Sequence, residues 1–263
     1  MAGPSVVLMY HRIGDGSVGR EPGEEIYAVR EGAFRAQMEH LHDSGLRVTD
    51  LHELAEASAS EEGSGAVVLT FDDGNRSDFT VAAPTLARLG LQGTFFVTPA
   101  WVGRPGFLDW SDVRELLRLG MTVGAHGLDH TLLSSLPYPE LGRHLREARR
   151  ELGSHLGREP VALSMPGGSG GRRELQAARE EGFRIVAGSL PRRFRPGGRD
   201  GIVPRFAIRR ADSAGFFHAL VEQRPGALSM AMGRHALLHV LRKVLGEGLY
   251  QRLRMHWNQA EPS

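Results

Sequence analysis

The run Ala66 to Gly74, AVVLTFDDG, constrains this chain more than any other stretch, because apolar and β-branched residues stop abruptly at two adjacent aspartates. A short continuous run of this kind reads as a fully buried strand. Gly74 lets the backbone turn sharply just beyond Asp72 and Asp73 and come close to a bound group. Two neighbouring anions at the end of a buried strand repel each other, and a cation or a shared proton relieves that repulsion. The plain alternative is a strand followed by an Asx turn, with Asp73 and Gly74 as turn formers. The rest of the chain has to decide between them.

Similar short runs recur at intervals: Val6–Tyr10, Arg47–Thr49, Gly93–Val97, Met121–Ala125, Val161–Met165, Arg184–Ala187 and Arg205–Ile208. Helical patterns lie between them. Phe34, Met38 and Leu41 share one helix face before a stop at Gly45, and Asp50 is placed to cap a helix through Leu51 and Leu54. Further helices are expected over Thr80–Leu89, from a Ser111 cap to Leu119, over Glu140–Leu156, over Arg172–Glu181, and from an Asp212 or Ser213 cap to Val221. Strands alternating with helices of about ten residues imply βα units and a parallel sheet. About eight strands are enough for an α/β barrel, and 263 residues suit one. In such folds chemistry collects at the C-terminal ends of the strands. His11 (with Tyr10 beside it), Asp72, Asp73, His126 and the turn Pro166-Gly167-Gly168 all fall at those ends.

Composition narrows the chemistry. With no cysteine there is neither a disulfide nor a thiolate metal site, leaving twelve histidines and thirty-one carboxylates as ligands. The segment GAHGLDH supplies His126 and His130 four residues apart. Such a pair is common by chance. Joined to a carboxylate from another strand end, it makes a two-histidine, one-aspartate set with open positions, suited to zinc or another divalent transition metal in hydrolysis.

At this point the chain resembles the polysaccharide deacetylase family (NodB homology, carbohydrate esterase family 4). The resemblance is carried by Thr70-Phe71-Asp72-Asp73-Gly74, Gly93-Thr94-Phe95-Phe96-Val97 and His126 through His130, in order, within roughly Val6 to Ile208. It implies an α/β fold of the distorted (β/α) barrel type. It further implies Asp72 as catalytic base and Asp73, His126 and His130 as ligands of a divalent metal, zinc first and cobalt among the others. The expected activity is removal of N-acetyl groups from a sugar in a polysaccharide or glycan precursor, with the Gly167 N–H after Pro166 stabilising the oxyanion. Two departures stand out. The family's third motif places an arginine before the proline, whereas this chain reads Leu163-Ser164-Met165-Pro166, so some other group must hold Asp72. The C-terminal Leu-x-His motif that supplies the general acid is also missing. Val7-Leu8-Met9-Tyr10-His11 looks like that element moved to the front, as in the circularly permuted branch that includes exopolysaccharide poly-N-acetylglucosamine deacetylases. His11 is then the acid; the alternative is a histidine satisfied at a strand end. His239 fits the missing motif only superficially.

Other features carry paired readings. Trp110, with Trp101 and Phe107, forms either a sugar-stacking platform or packing around the Ser111 helix. Asp78 is expected to cap the helix after the aspartates. Pro191 to Arg210 holds seven arginines and one aspartate, either a solvated basic loop or a contact for an anionic or lipid-linked substrate. Net charge of +1 and the lack of a broad basic surface with aromatics exclude a nucleic-acid partner. Residues 1–225 are expected to form the barrel and 226–263 an amphipathic helical extension. That extension either packs on the barrel or makes peripheral contact with an anionic membrane. The N-terminus shows no leader and no apolar run long enough to span a bilayer, so the expected location is cytoplasmic. Competing with the deacetylase are an amidohydrolase for a non-sugar acyl amide and a catalytically silent glycan-binding barrel.

Overall fold

The computed structural model describes residues 4–15, 24–56, 65–168, 170–195, 201–234 and 236. Eight strands form one parallel sheet: β1 (Val6–Tyr10), β2 (Val48–Thr49), β3 (Val67–Phe71), β4 (Thr94–Val97), β5 (Thr122–Ala125), β6 (Ala162–Ser164), β7 (Ile185–Ala187) and β8 (Phe206–Ala207). The order across the sheet is β7-β6-β5-β4-β3-β1-β8, and β2 pairs with the first residues of β3. The sheet curls into a distorted barrel. Val203, just before β8, bridges back to Ala187 on β7, its N–H donating to Val186 and its carbonyl accepting from Gly188. The expectation of a parallel α/β barrel is met.

Period-two alternation sorts the strand residues onto two faces. Val6, Leu8 and Tyr10 of β1, Val67, Leu69 and Phe71 of β3, and Phe95 and Val97 of β4 face outward. There they pack with Phe34, Met38 and Leu41 of α1 (Glu31–Asp43), Leu86 of α3 (Ala83–Arg88), Leu116 of α4 (Trp110–Arg118) and Leu145 of α5 (Tyr138–Leu156). A second cluster fills the barrel: Val7, Val68, Phe96, Ala162, Ile185, Ala187 and Val203. Leu51 and Leu54 of α2 (Leu51–Glu56) join it from the side where the strands begin. Asp72 therefore continues the inward series Val68, Thr70. The two remaining helices are α6 (Arg172–Glu180) and α7 (Ala214–Val221).

Local signals met the expectations unevenly. Asp50 accepts from the Glu53 N–H at 2.7 Å and Ser213 from the Phe216 N–H at 3.2 Å, as caps do. The cap of α4 is Asp109, not Ser111. Asp109 and Asp112 form a reciprocal capping box, and Ser111 lies inside the helix. Asp78 is no cap either: it opens a π-helical turn, Asp78–Ala82, with its side chain buried. Beyond α7, residues 225–234 are helical, and Ala227 and Ala231 enter the outer core, so this part of the extension packs on the barrel. His239 and the tail's remaining apolar and basic positions lie outside the described residues. Among the described residues no helix is long and apolar enough to cross a membrane.

Phe96 fills the barrel only because the residue beside it is Gly124; a Cβ there would lie 2.6 Å from the Phe96 ring and 2.9 Å from the Ala162 carbonyl oxygen. Gly124→Ala is expected to destabilise the protein by about 1–3 kcal/mol, the usual range for overpacking a core. Chemical denaturation tests this, and an unchanged midpoint would show that the ring can move aside.

Candidate metal and catalytic site

Asp72 and Asp73 share one loop but face different partners. Asp72 ends the inward series of β3, and its N–H is tied to the Tyr10 carbonyl across the β1–β3 pairing. Asp73 has φ +81°, a left-handed conformation disfavoured for a residue with a side chain. That turn breaks the strand's alternation, so the second carboxylate need not face the helices. Strain of this kind clusters at functional sites.

Asp73, His126 and His130 each offer one ligand atom, and the three atoms lie within 4.8 Å of one another. The Asp73 Oδ1 is 3.2 Å from His126 Nε2 and 3.6 Å from His130 Nε2. Yet that buried oxygen has no hydrogen bond of proper geometry. Three lone-pair atoms aimed at one point, one of them a buried orphan, are what a divalent cation would satisfy. The ring of His126 is oriented by a 3.0 Å contact from Nδ1 to the Ser164 carbonyl, the outer-shell partner expected of a ligand histidine. His130, with φ +69°, closes a loop held by α5: the Leu128 N–H donates to His144 Nε2 at 3.0 Å.

Burial disfavours charge on all these groups, and the neighbours decide what remains. Asp73 is held well below the carboxylate range because His126, His11 and His130 outweigh its burial. Burial alone would make His126 less basic, but Asp72 and Asp73 raise it above the ordinary value. His130 is pushed down to about 4 by burial and by repulsion from His126.

Asp72 is buried, 2% exposed, and is clasped by Arg205. The two guanidinium nitrogens donate to its two oxygens at 2.8 Å each, a bidentate pair. Arg205 also donates to Thr70 Oγ1 at 3.1 Å, Ser164 Oγ at 2.7 Å and the Gly188 carbonyl at 2.8 Å; Ser164 in turn donates to Asp72 Oδ2 at 3.0 Å. The guanidinium lies 5.5 Å over the Phe96 ring. Burial would raise the Asp72 pKa, but Arg205 and then His126 bring it below the ordinary value.

Arg205 thus stands where the third-motif arginine is missing, and sequence reasoning overlooked it by grouping it with a basic loop. The available signal was a charge two residues before Ala207, at an inward position of an otherwise apolar strand. The arginine-rich stretch is therefore not one solvated loop: Arg205 is fully buried, and Arg210 pairs with Asp15 at 2.6 Å.

His11 stacks on Tyr27 at 4.7 Å, and its Nδ1 is buried without a partner. Burial lowers its basicity, and the charges of Asp73 and then Asp72 offset only part of that. Gly167 has φ 66°, and its N–H makes no hydrogen bond among the described residues, because the Gly168 N–H closes the turn onto Met165. Pro166 is buried against this turn.

Two expected site residues do not join the cluster. Tyr10 faces outward, its hydroxyl donating to Gln37 of α1 at 2.8 Å and its ring stacked on Phe71 at 5.4 Å. Alternation sends neighbours to opposite faces, so Tyr10 cannot accompany His11. Trp110 stacks on His155 of α5 at 3.7 Å. The tryptophan against the cluster is Trp101, 4.7 Å from His130 and itself buried. Asp78, expected to cap a helix, is instead a fully buried carboxyl group. Burial and then repulsion from Asp73 and Asp72 raise its pKa well above the ordinary value.

The parallel barrel thus carries an Asp-His-His set and a tethered aspartate at its strand ends. Residues 59–186, just under half of this chain, match the protein family described as Polysaccharide deacetylase, and the chain resembles that family there. It is 25% identical over 187 residues to the Bacillus subtilis (strain 168) protein YxkH, covering 70% of this chain and 64% of that one. The chain thus spans under two thirds of that curated relative. Among solved structures, the Streptococcus pyogenes deacetylase PplD in complex with acetate matches in fold, with a TM-score of 0.74 at 20% identity over 84% of this chain and 98% of its own. IcaB from Ammonifex degensii matches with a TM-score of 0.70 at 26% identity over 84% of this chain and 97% of its own.

Arg205→Gln leaves Asp72 buried without its guanidinium and is expected to cost about 3–5 kcal/mol of stability at neutral pH. The wild-type pair contributes fully above the unfolded carboxylate pKa of about 3.9 and fades as pH falls through the lowered folded value. In the variant, burial instead raises the Asp72 pKa, so the acid is taken up neutral and the deficit should narrow from pH 7 towards pH 4. Denaturation at several pH values reads this; an equal deficit throughout would mean that Arg205 acts other than through the Asp72 charge.

Proposed function

We propose that this chain is a metal-dependent hydrolase that removes N-acetyl groups from an N-acetylated sugar of a polysaccharide or glycan precursor. The observation that carries the reading is the convergence of Asp73, His126 and His130 beside an ionised Asp72 fixed by Arg205. Those three ligands would hold a divalent transition metal, zinc or cobalt among them, which when bound supplies Lewis-acid polarisation of the acetyl carbonyl and a more acidic water.

The chain's own residues account for the proton movements. Asp72 takes a proton from the attacking water; its low pKa keeps it ionised and available at neutral pH. The Gly167 N–H donates to the oxyanion as the carbonyl carbon becomes tetrahedral. His11 in its protonated form gives a proton to the departing amine; its lowered basicity makes that form a stronger acid and a scarcer one, and it regains its proton from solvent. Arg205 supports the active reading over a silent glycan-binding barrel, because the tether that the third motif lacks is supplied from β8. The N-terminal position of His11 favours an exopolysaccharide such as poly-N-acetylglucosamine as substrate.

Acetate release from N-acetylglucosamine oligomers with added Zn²⁺ or Co²⁺, abolished by chelator, is the expected result. Oligomer binding without acetate release under any metal would turn the assignment to a binding barrel. Asp72→Asn should keep its metal and lose on the order of 10²–10⁴ in rate, the usual worth of one general base, and His11→Ala should behave likewise. Loss of metal from the His11 variant would make that residue a ligand instead.

A cation must also displace the proton that Asp72 and Asp73 favour on His126. Zinc affinity should therefore climb with pH through the raised His126 pKa, with proton release on binding. Calorimetry in buffers of different ionisation enthalpy measures that release, and pH-independent affinity without it would count against His126 as a ligand.

A further inference from the structure

A large concavity lies away from the catalytic mouth. A cavity of about 930 Å³ opens at the start of β7, near Ala55 of α2, at the end of the barrel opposite Asp72 and His126. Its volume lies within the range of about 300–1,000 Å³ usual for small-molecule sites. Five arginines line it: Arg179 from α6, Arg184 just before β7, and Arg192, Arg193 and Arg195 from the strap leading towards β8. Among the described residues no aspartate or glutamate lines it. Among the described residues, Arg179, Arg184, Arg193 and Arg195 meet no carboxylate, although the chain carries thirty-one. The rest of the wall is mainly apolar, with Phe194, Ile202 and Leu228 among it.

In a chain of net charge +1, four guanidiniums that meet no carboxylate among the described residues concentrate positive charge around one concavity. Mutual repulsion would be relieved by an anion, and low-dielectric walls focus the field into the cavity. Guanidinium forks match the oxygens of phosphate in pairs, and their planar faces tolerate apolar neighbours. We propose that this cavity is a second binding site, distinct from the deacetylation centre, for a phosphate-bearing ligand whose remaining part is apolar enough to meet Phe194, Ile202 and Leu228. The site lies directly behind the catalytic tether, since Val203 and Pro204 of its wall precede Arg205 in the chain.

The phosphate could come from a soluble molecule or from a lipid headgroup, and the two are separable. The full chain is titrated with inorganic pyrophosphate by calorimetry and mixed with phosphatidic acid or phosphatidylcholine vesicles for co-sedimentation. The same is done with Arg184→Gln/Arg193→Gln/Arg195→Gln. Pyrophosphate binding at least tenfold weaker in the triple variant supports the site with a soluble ligand. Selective sedimentation with phosphatidic acid, lost in the variant, supports it with a lipid headgroup. Arg193 and Arg195 are exposed, so each single substitution should preserve the thermal midpoint and still weaken binding several-fold if the triple variant misfolds. Binding undiminished in the variants, sedimentation equal on both vesicles, or no binding of either probe overturns the proposal. None of these readouts depends on acetate release, so the site stands or falls apart from the deacetylase reading.

Discussion

The bidentate pair between Arg205 and Asp72 is the interaction on which the rest of the site depends. A carboxylate at the floor of a barrel mouth is costly to ionise, and a guanidinium is costly to bury; each is tolerable only with the other in good geometry. The pair is not left to itself. Thr70, Ser164 and the Gly188 carbonyl engage the guanidinium, and Ser164 also donates to Asp72, so contributions from β3, β6 and the β7 end are used together. That saturation is what a buried polar network needs in order to rigidify a site rather than weaken it. It also ties the chemistry to the curl of the sheet, because Arg205 reaches Asp72 only when β8 lies beside β1 and Val203 bridges back to β7.

The adjacent aspartates divide their work through backbone geometry. Strand alternation points Asp72 into the barrel, and the left-handed φ of Asp73 releases the next carboxylate from that alternation. One dipeptide can thereby serve a tethered base and a cation site. The loop bearing His126 and His130 is fixed from behind by His144 and by the Ala100 N–H, which donates to Leu128. The candidate ligand set is therefore organised by hydrogen bonds within the protein.

Much of this was legible in the chain. Apolar runs gave every strand, and the residues ending them gave Asp72, Asp73, His11, His126 and the Pro166-Gly167 turn. Misreadings came where one-dimensional proximity stood in for facing. Tyr10 neighbours His11 in sequence, but the pleat turns it to Gln37 and Phe71. Trp110 follows an aromatic loop, yet helix α4 carries it to His155. Asp78 looked like a cap because short polar residues before helices usually are, and only the tertiary structure reveals that its carboxyl group is fully buried, with its pKa raised.

By itself the sequence determined the alternating βα plan, the candidate cation-binding residues and the lack of an arginine before Pro166. Those are local matters: hydrophobic runs, turn glycines and short motifs are written in consecutive residues. Only the tertiary structure decided what replaces that arginine. Arg205 lies 133 positions from Asp72 along the chain, among other arginines of the same stretch, and nothing in its immediate neighbours marks it as the one that turns inward. Closure of the barrel selects it, because the strand it precedes is the one laid beside β1.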